Sequence, residues 1–332
     1  MVQAYTSKFL EAVREGKEYI PIAVASLRTD SVTNFDIYLK APRPGEPLVL
    51  YAERNIPFSE EARHRLEDNR VEYVYIRTGQ ADDYRRYLER NLPDILSDES
   101  VPPEAKAEVL HMSAQGLVKE ILDDPTLEGG ILRSKEVVHN TVEFIFSDPS
   151  GLRHLIQSAS YDYDRYAHSM NVCVLGIALV QREGFTDPRI LKEFGTGALL
   201  RDVGMAQIDP AITESSGQLT VDQYEILKQH PLFGEQIVQE FDGVSDIVLD
   251  IVRHHHEALD GSGYPDGLRG EELNPLVRAC TIADIFDALS TNRPSRSALS
   301  TFEALRVMGD EMREVIDMDM LRTFIDLMGN PG

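Results

Sequence analysis

His255-His256-Glu257, followed by Asp260-Gly261-Ser262-Gly263-Tyr264-Pro265-Asp266-Gly267-Leu268, is the stretch around which the rest of this chain must be read. Two adjacent imidazoles close the apolar segment carrying Ile247, Val248, Ile251 and Val252, and a glycine-rich loop with a single aromatic ring comes next. Imidazole is the commonest protein metal ligand. Glycine lets a backbone come close to a ligand without a steric penalty. A metal pair beside a backbone-lined pocket suits a phosphate ester. Taken alone, the same stretch reads equally well as a helix end that carries histidines, with a turn behind it. The surrounding helices decide between the two.

Upstream, Asp164 and His168 lie one turn apart and share a helix face with Val172, Leu175 and Leu179. Burying a carboxylate and an imidazole is unfavourable unless they are paired or bind a metal. The next helix starts near Pro188, and Asp202 continues its apolar stripe of Leu191, Phe194, Gly195, Ala198 and Leu199. Gly204 reads as the stop of that helix. Thr220-Val221-Asp222-Gln223 matches a capping box and opens a helix expected to run on to His230, just before Pro231. Downstream, Pro275 opens a helix through Leu276, Cys280 and Ala283 that places Asp284 among small and apolar neighbours. The candidate metal ligands are thus Asp164, His168, Asp202, His230, His255, His256 and Asp284. Mixed imidazole and carboxylate donors suit iron, manganese, zinc or similar divalent ions. Two such ions roughly 3.5–4 Å apart can share a hydroxide and aim it in line at phosphorus. His64, His111, His139, His154 and His254 fit no pattern, and Glu257, Asp260 and Asp287 read as groups that shape loops or support ligands.

Ahead of this helical region, residues 1–96 read as a small mixed α/β domain. Tyr19–Val24, Phe35–Leu39, Pro47–Tyr51 and Val71–Ile76 have strand composition. Pro42-Arg43-Pro44-Gly45 reads as a turn, Ser59 as the cap of a helix to about Asn69, and Tyr84, Tyr87, Leu88 and Leu92 as a helical stripe. No catalytic cluster occurs there, so a regulatory or dimer-contact role is expected. The polar, proline-bearing stretch Ser97–Pro103 reads as the boundary, and residues 97–332 as a second, all-helical domain. Helical periodicity follows through Leu110, Leu117 and Ile121, then Ile131–Phe146, then from Gly151. The fold class expected is α+β.

The chain has 332 residues and a net charge of −23. That charge argues against nucleic acid and against an anionic membrane surface. A small anionic ligand would need local cations. No apolar run reaches the roughly 18–20 residues of a membrane span, and the start shows no secretory signal. The two cysteines, Cys173 and Cys280, sit in apolar contexts. They read as buried small side chains in a reducing cytoplasm.

From about Asp162 to Asp326 the chain resembles the HD-GYP family, bacterial metal-dependent phosphodiesterases acting on cyclic di-GMP. The resemblance rests on Tyr166-Ala167-His168-Ser169-Met170-Asn171-Val172, Leu219-Thr220 through His230-Pro231, His255-His256-Glu257 and Gly261-Ser262-Gly263-Tyr264-Pro265. It continues in Ile282-Ala283-Asp284-Ile285-Phe286-Asp287-Ala288-Leu289 and Arg293-Pro294-Ser295-Arg296. It implies an all-helical HD-type domain holding one or two divalent ions per chain, iron or manganese. It also implies that Gly263, Tyr264 and Pro265 line the substrate pocket and that Arg293 and Arg296 contact substrate phosphates. Expected partners are cyclic di-GMP, other signalling domains and a second copy in a homodimer.

The chain departs from this family where the signature reads His-Asp followed by a lysine. Here Arg201 precedes Asp202, and Met205 stands in the lysine's place. A guanidinium stays protonated and cannot ligate a metal, although it can neutralise Asp202 or Asp164 in place of a missing cation. Met205 cannot donate a proton, and losing a general acid typically forfeits roughly 10²- to 10⁴-fold in rate. Three readings follow: a phosphodiesterase with an impaired centre around Asp202; an inactive module that binds a cyclic dinucleotide or a protein, with no metal if the site is degenerate; and an HD-type hydrolase for another nucleotide, against which the intact Gly263-Tyr264-Pro265 loop argues.

Overall fold

The computed structural model describes residues 9, 12–13, 15–29, 31–41, 47–127, 129–148, 150–158, 165–213, 215, 217–292 and 296–330. The turn expected at Pro42–Gly45 and the candidate residues Asp164 and Arg293 lie outside these. The chain divides into two compact units, Met1–Gly116 and Leu117–Gly332.

In the first unit, strands β1 (Tyr19–Ala23), β2 (Ile37–Leu39), β3 (Val49–Ala52) and β4 (Tyr73–Arg77) form one sheet in the order β1-β4-β2-β3. Each pairing is antiparallel. The alternation read in the sequence is the cause: Ile20 and Ile22 of β1 and Val74 and Ile76 of β4 are buried, while their neighbours are not. Helix α1 (Glu60–Asp68) starts where Ser59 accepts the Ala62 N–H at 3.2 Å. Helix α2 (Ala81–Arg90) buries Tyr84, Tyr87 and Leu88. Phe35 meets the rings of Tyr84 and Tyr87 edge-on at centroid distances of 5.5 and 5.4 Å. The stripe does not continue unbroken to Leu92, which opens a separate short helix, α3 (Leu92–Ser97), with Pro93 in its first turn. Proline has no N–H to offer the preceding turn and clashes with its carbonyl, so the helix restarts there.

Helix α4 (Pro103–Asp123) begins at the expected proline pair. The domain break read between residues 96 and 97 lies ahead of the observed division, which falls inside α4. The reason is apolar: Ala105, Val109 and Met112 of α4 line a small cavity together with Phe9, Ile22 and Tyr84 of the sheet unit. The polar Ser97–Pro103 segment turns the chain without ending that core.

The second unit is helical through its described residues. It comprises α5 (Gly130–Ser147), α6 (Gly151–Ser158), α7 (Arg165–Arg182), α8 (Pro188–Leu200) and α9 (Pro210–Thr213). It continues with α10 (Val221–Leu227), α11 (His230–Gln239), α12 (Asp246–His254), α13 (Pro275–Ser290), α14 (Thr301–Glu311) and α15 (Met318–Gly329). Helix α7 packs on both α8 and α13, and α8 packs on α12. Cys173 and Cys280 are buried in that core as free thiols. Among the described residues, no helix is long and apolar enough to cross a membrane.

Two details differ from the sequence reading. The helix opened by the Thr220–Gln223 capping box, which is present as expected, stops at Leu227. His230 opens α11 instead, with Pro231 in its first turn. Gly204 does not end a helix through a left-handed φ. It lies in a 3-10 turn, Val203–Gln207, that presses against the start of α11. A Cβ at Gly204 would sit 1.9 Å from the His230 carbonyl oxygen and 2.4 Å from the Gly234 nitrogen, so close approach is what requires glycine.

Candidate metal centre

The break between α10 and α11 frees the carbonyl of Leu227, and His230 Nδ1 lies 2.8 Å from it. The end of α12 does the same for His255, whose Nδ1 lies 3.0 Å from the Val252 carbonyl. A carbonyl can only accept, so each ring carries its proton on Nδ1. In a neutral ring the Nε2 atom is then the one with a lone pair to offer. The two Nε2 atoms face each other at 3.3 Å, and they lie 3.5 and 3.6 Å from Asp202 Oδ1. Burial, and after it the neighbouring His255, push the His230 imidazole down to about 4. His256 is held well below the ordinary range by burial and by His255, and its ring lies 4.2 Å from that of His255. One donor atom from each of Asp202, His230, His255 and His256 can be chosen so that all lie within 4.8 Å of one another. Spacings of 3.3–3.6 Å suit neighbouring ligands around one ion whose bonds are about 2.0–2.2 Å long. Three imidazoles and a carboxylate converging on one point suit a divalent cation.

His168, Asp202 and Asp284 form a second group of the same compactness, but a cation is already present there. Arg201, at the end of α8, is fully buried. Its Nε donates to Asp284 Oδ1 at 2.9 Å and its Nη1 to the Ala198 carbonyl at 2.9 Å. Its Nη2 lies 2.8 Å from Asp284 Oδ1 and 3.1 Å from Asp202 Oδ2, without directed hydrogen-bond geometry to either. Burial disfavours the charge on Asp284, but the Arg201 guanidinium outweighs it and holds the carboxyl well below its usual range. The same contest is resolved the same way at Asp202. His168 Nε2 lies 3.2 Å from Asp284 Oδ1, and its Nδ1 lies 2.6 Å from Asp287 Oδ2. Burial and Arg201 press His168 down, yet its bonds to Asp284 and Asp287 raise it to about 9. Asp287 also accepts from Asn171 Nδ2 at 2.9 Å.

The glycine-rich loop leans on this centre. The Tyr264 ring stacks on His256 at 4.9 Å and 29°, and meets His230 edge-on at 6.4 Å. Glu257, which is buried, holds the loop from below. Its Oε1 accepts the N–H groups of Asp266 and Gly267 at 2.6 and 3.0 Å, and its Oε2 accepts that of Leu268 at 3.1 Å. Gly263 is fixed by close approach, since a Cβ there would lie 2.4 Å from the Ala258 nitrogen. Asp266 is gripped by Arg253 at 2.7 and 3.0 Å and by His254 Nε2 at 3.0 Å. Arg253 reaches on to Glu235, and His254 Nδ1 lies 2.7 Å from Asp250.

The structure therefore brings together His168, Asp202, His230, His255, His256 and Asp284, with Tyr264 beside them. Arg296 is engaged elsewhere. Its Nη1 donates to the Leu289 and Ser297 carbonyls at 2.9 and 3.0 Å, and its Nη2 to the Ala288 carbonyl. It satisfies carbonyls at the end of α13, where a helix leaves acceptors unpaired. Met205 is half-buried in the 3-10 turn after Asp202. The reading of His254 as ordinary missed its grip on the loop. Asp287, read from the sequence as a group that supports ligands or shapes loops, supports His168, and Asp284 and Asp287 share a face of α13 by spacing.

Residues 167–320 match the HD domain family (HD_5). A cyclic di-GMP phosphodiesterase of Pseudomonas aeruginosa is 30% identical over 225 residues, covering 68% of this chain and 52% of that protein. The cyclic di-GMP phosphodiesterase response regulator RpfG of Xanthomonas campestris is 35% identical over 121 residues, covering 36% of this chain and 32% of its own. The chain thus spans about half the length of the first of these relatives. Among solved structures, a HDG"Y"P protein from Bdellovibrio bacteriovorus aligns with a TM-score of 0.64 at 25% identity, covering 94% of this chain and all of its own. The helical unit is an HD domain, and the chain belongs with the HD-GYP proteins.

Proposed function

We propose that this chain is a cyclic di-GMP signalling protein whose HD site is a metal-dependent phosphodiesterase with impaired turnover. The observation that carries this reading is the convergence of the Asp202, His230, His255 and His256 donors beside the Tyr264 ring. The names of the relatives, which act on cyclic di-GMP, agree with it. A divalent ion held by Asp202, His230, His255 and His256, iron or manganese as the resemblance implies, would supply Lewis acidity and an activated water. The protein's own contribution is fixed orientation: backbone carbonyls hold two imidazole tautomers, and Glu257 holds the loop that presents Tyr264. Tyr264 offers a flat face for a nucleobase, and the divalent ion offsets phosphate charge within an acidic chain of net charge −23. The reducing cytoplasm suits the free thiols of Cys173 and Cys280.

A second reading, a cyclic dinucleotide-binding module without turnover, is favoured by Arg201 and Met205. A guanidinium locked between Asp202 and Asp284 supplies neither a ligand nor a labile proton. Incubation with cyclic di-GMP and Mn²⁺ or Fe²⁺, followed by chromatography, separates the two. The expected result is slow conversion to the linear dinucleotide or GMP, accelerated roughly 10²-fold or more by Arg201→His combined with Met205→Lys. No turnover by either protein would leave the binding module as the correct account.

A further inference from the structure

We infer that Arg201 is a built-in replacement for one metal ion, so that this chain holds a single divalent cation, at Asp202, His230, His255 and His256, and none at His168, Asp202 and Asp284. The inference rests on the reading of the site as a metal centre and says how many ions that centre takes.

The argument starts from Asp202, the one residue common to both donor groups. A carboxylate between two ions would turn one oxygen to each. Here Oδ1 faces the Nε2 atoms of His230 and His255 at 3.5 and 3.6 Å, while Oδ2 faces Arg201 Nη2 at 3.1 Å. One side of the bridge looks at two imidazole nitrogens, the commonest protein donors to a metal. The other side already has a cation. Asp284 repeats the pattern, because its Oδ1 accepts from Nε of Arg201, with the Nη2 of that guanidinium 2.8 Å away and His168 Nε2 at 3.2 Å.

Burial makes this arrangement hard to undo. Arg201 is among the largest fully buried side chains of the chain. Its Nη1 is tied to the Ala198 carbonyl in the last turn of its own helix, so the guanidinium cannot swing out to solvent without leaving a helix carbonyl unpaired. A divalent ion entering between His168 and Asp284 would press two positive charges together in a dry interior, where such repulsion is strongest. His168 is also held from behind by Asp287, at 2.6 Å from its Nδ1. The group His168, Asp202 and Asp284 therefore already holds the Arg201 guanidinium among its carboxylates, and the group Asp202, His230, His255 and His256 is left as the place for an ion.

The test is a metal count on full-length protein, stripped of metal, reloaded with excess Mn²⁺, desalted and measured by elemental analysis. One manganese per chain is expected for the unaltered protein. His168→Ala should leave that count at one, and His230→Ala should bring it to zero. Arg201→His should raise it to two. Two ions in the unaltered protein, none in it, or a loss of the ion in His168→Ala would overturn the inference. Should Arg201→His fail to fold, the counts for the unaltered protein, His168→Ala and His230→Ala still decide. The count is independent of substrate: one manganese with no binding of cyclic di-GMP would sink the proposed function and leave this inference standing. Two manganese ions with binding would do the reverse.

Discussion

A fully buried arginine survives only where carboxylates and carbonyls surround it, because an unpaired buried charge costs several kcal/mol. Arg201 meets that condition through Asp202, Asp284 and the Ala198 carbonyl. The sequence made the substitution visible and suggested that it would neutralise a carboxylate. Which carboxylates it reaches is a matter of three-dimensional packing. The charges assembled here should also set the pH range of stability. His168 is raised to about 9 in the fold, against an ordinary value near 6.5. Its imidazolium therefore adds stability that is complete below about 6.5 and fades as pH climbs through about 9. Asp266 is lowered to about 2 by Arg253 foremost. Its carboxylate adds stability that is present above about 3.9 and is lost as pH falls toward about 2. Metal-stripped protein should melt at its highest temperature between about pH 4 and pH 6.5, with a decline on either side. Circular-dichroism melts across pH 3–10 check this, and His168→Gln should flatten the alkaline limb. An alkaline limb identical in that variant would contradict the role given to His168.

Helix ends, more than helix faces, build the centre. His230 starts α11, His255 follows α12, and Asp202 follows α8. At each histidine a carbonyl released by the end of a helix fixes the tautomer. Periodicity predicted which faces are buried, and the structure bears this out at His168, Val172, Leu175 and Leu179. It could not show that the helix from Val221 would stop at Leu227, because a capping box marks a beginning and not an end. It also misread Gly204, since a glycine at a helix stop and a glycine at a tight crossing look alike in one dimension. The loop was legible as a feature, and Glu257 as a group that shapes loops or supports ligands, but which backbone N–H groups it would accept was not. Glu257 accepts three backbone N–H groups across the loop, and charged acceptors of this kind are worth about 1.5–3 kcal/mol per bond. Glu257→Ala should speed amide exchange at Gly267 and Leu268 about tenfold or more while far-UV circular dichroism stays unchanged. Exchange at the native rate would show that the loop holds itself.

At the scale of the whole chain, composition set the terms of the problem: a net charge of −23 with an anionic ligand in view demands local positive charge. The centre answers with the Arg201 guanidinium on one side of Asp202 and, on the other, imidazole nitrogens that can hold a cation. The α+β architecture and the helical nature of the second unit were both readable from pattern. The position of the division was not, because α4 contributes apolar residues to the sheet unit before the chain passes on. Motif spacing also gave no sign that Arg296, expected to contact substrate phosphate, would donate to carbonyls at the end of α13. The central claim is that this chain binds a cyclic dinucleotide through a metal held by Asp202, His230, His255 and His256. Calorimetric titration of cyclic di-GMP into Mn²⁺-loaded protein tests it most directly. Saturable binding that disappears on removal of the metal and in His230→Ala is the predicted result. No binding, or binding of equal strength in the metal-stripped protein and in His230→Ala, would contradict it.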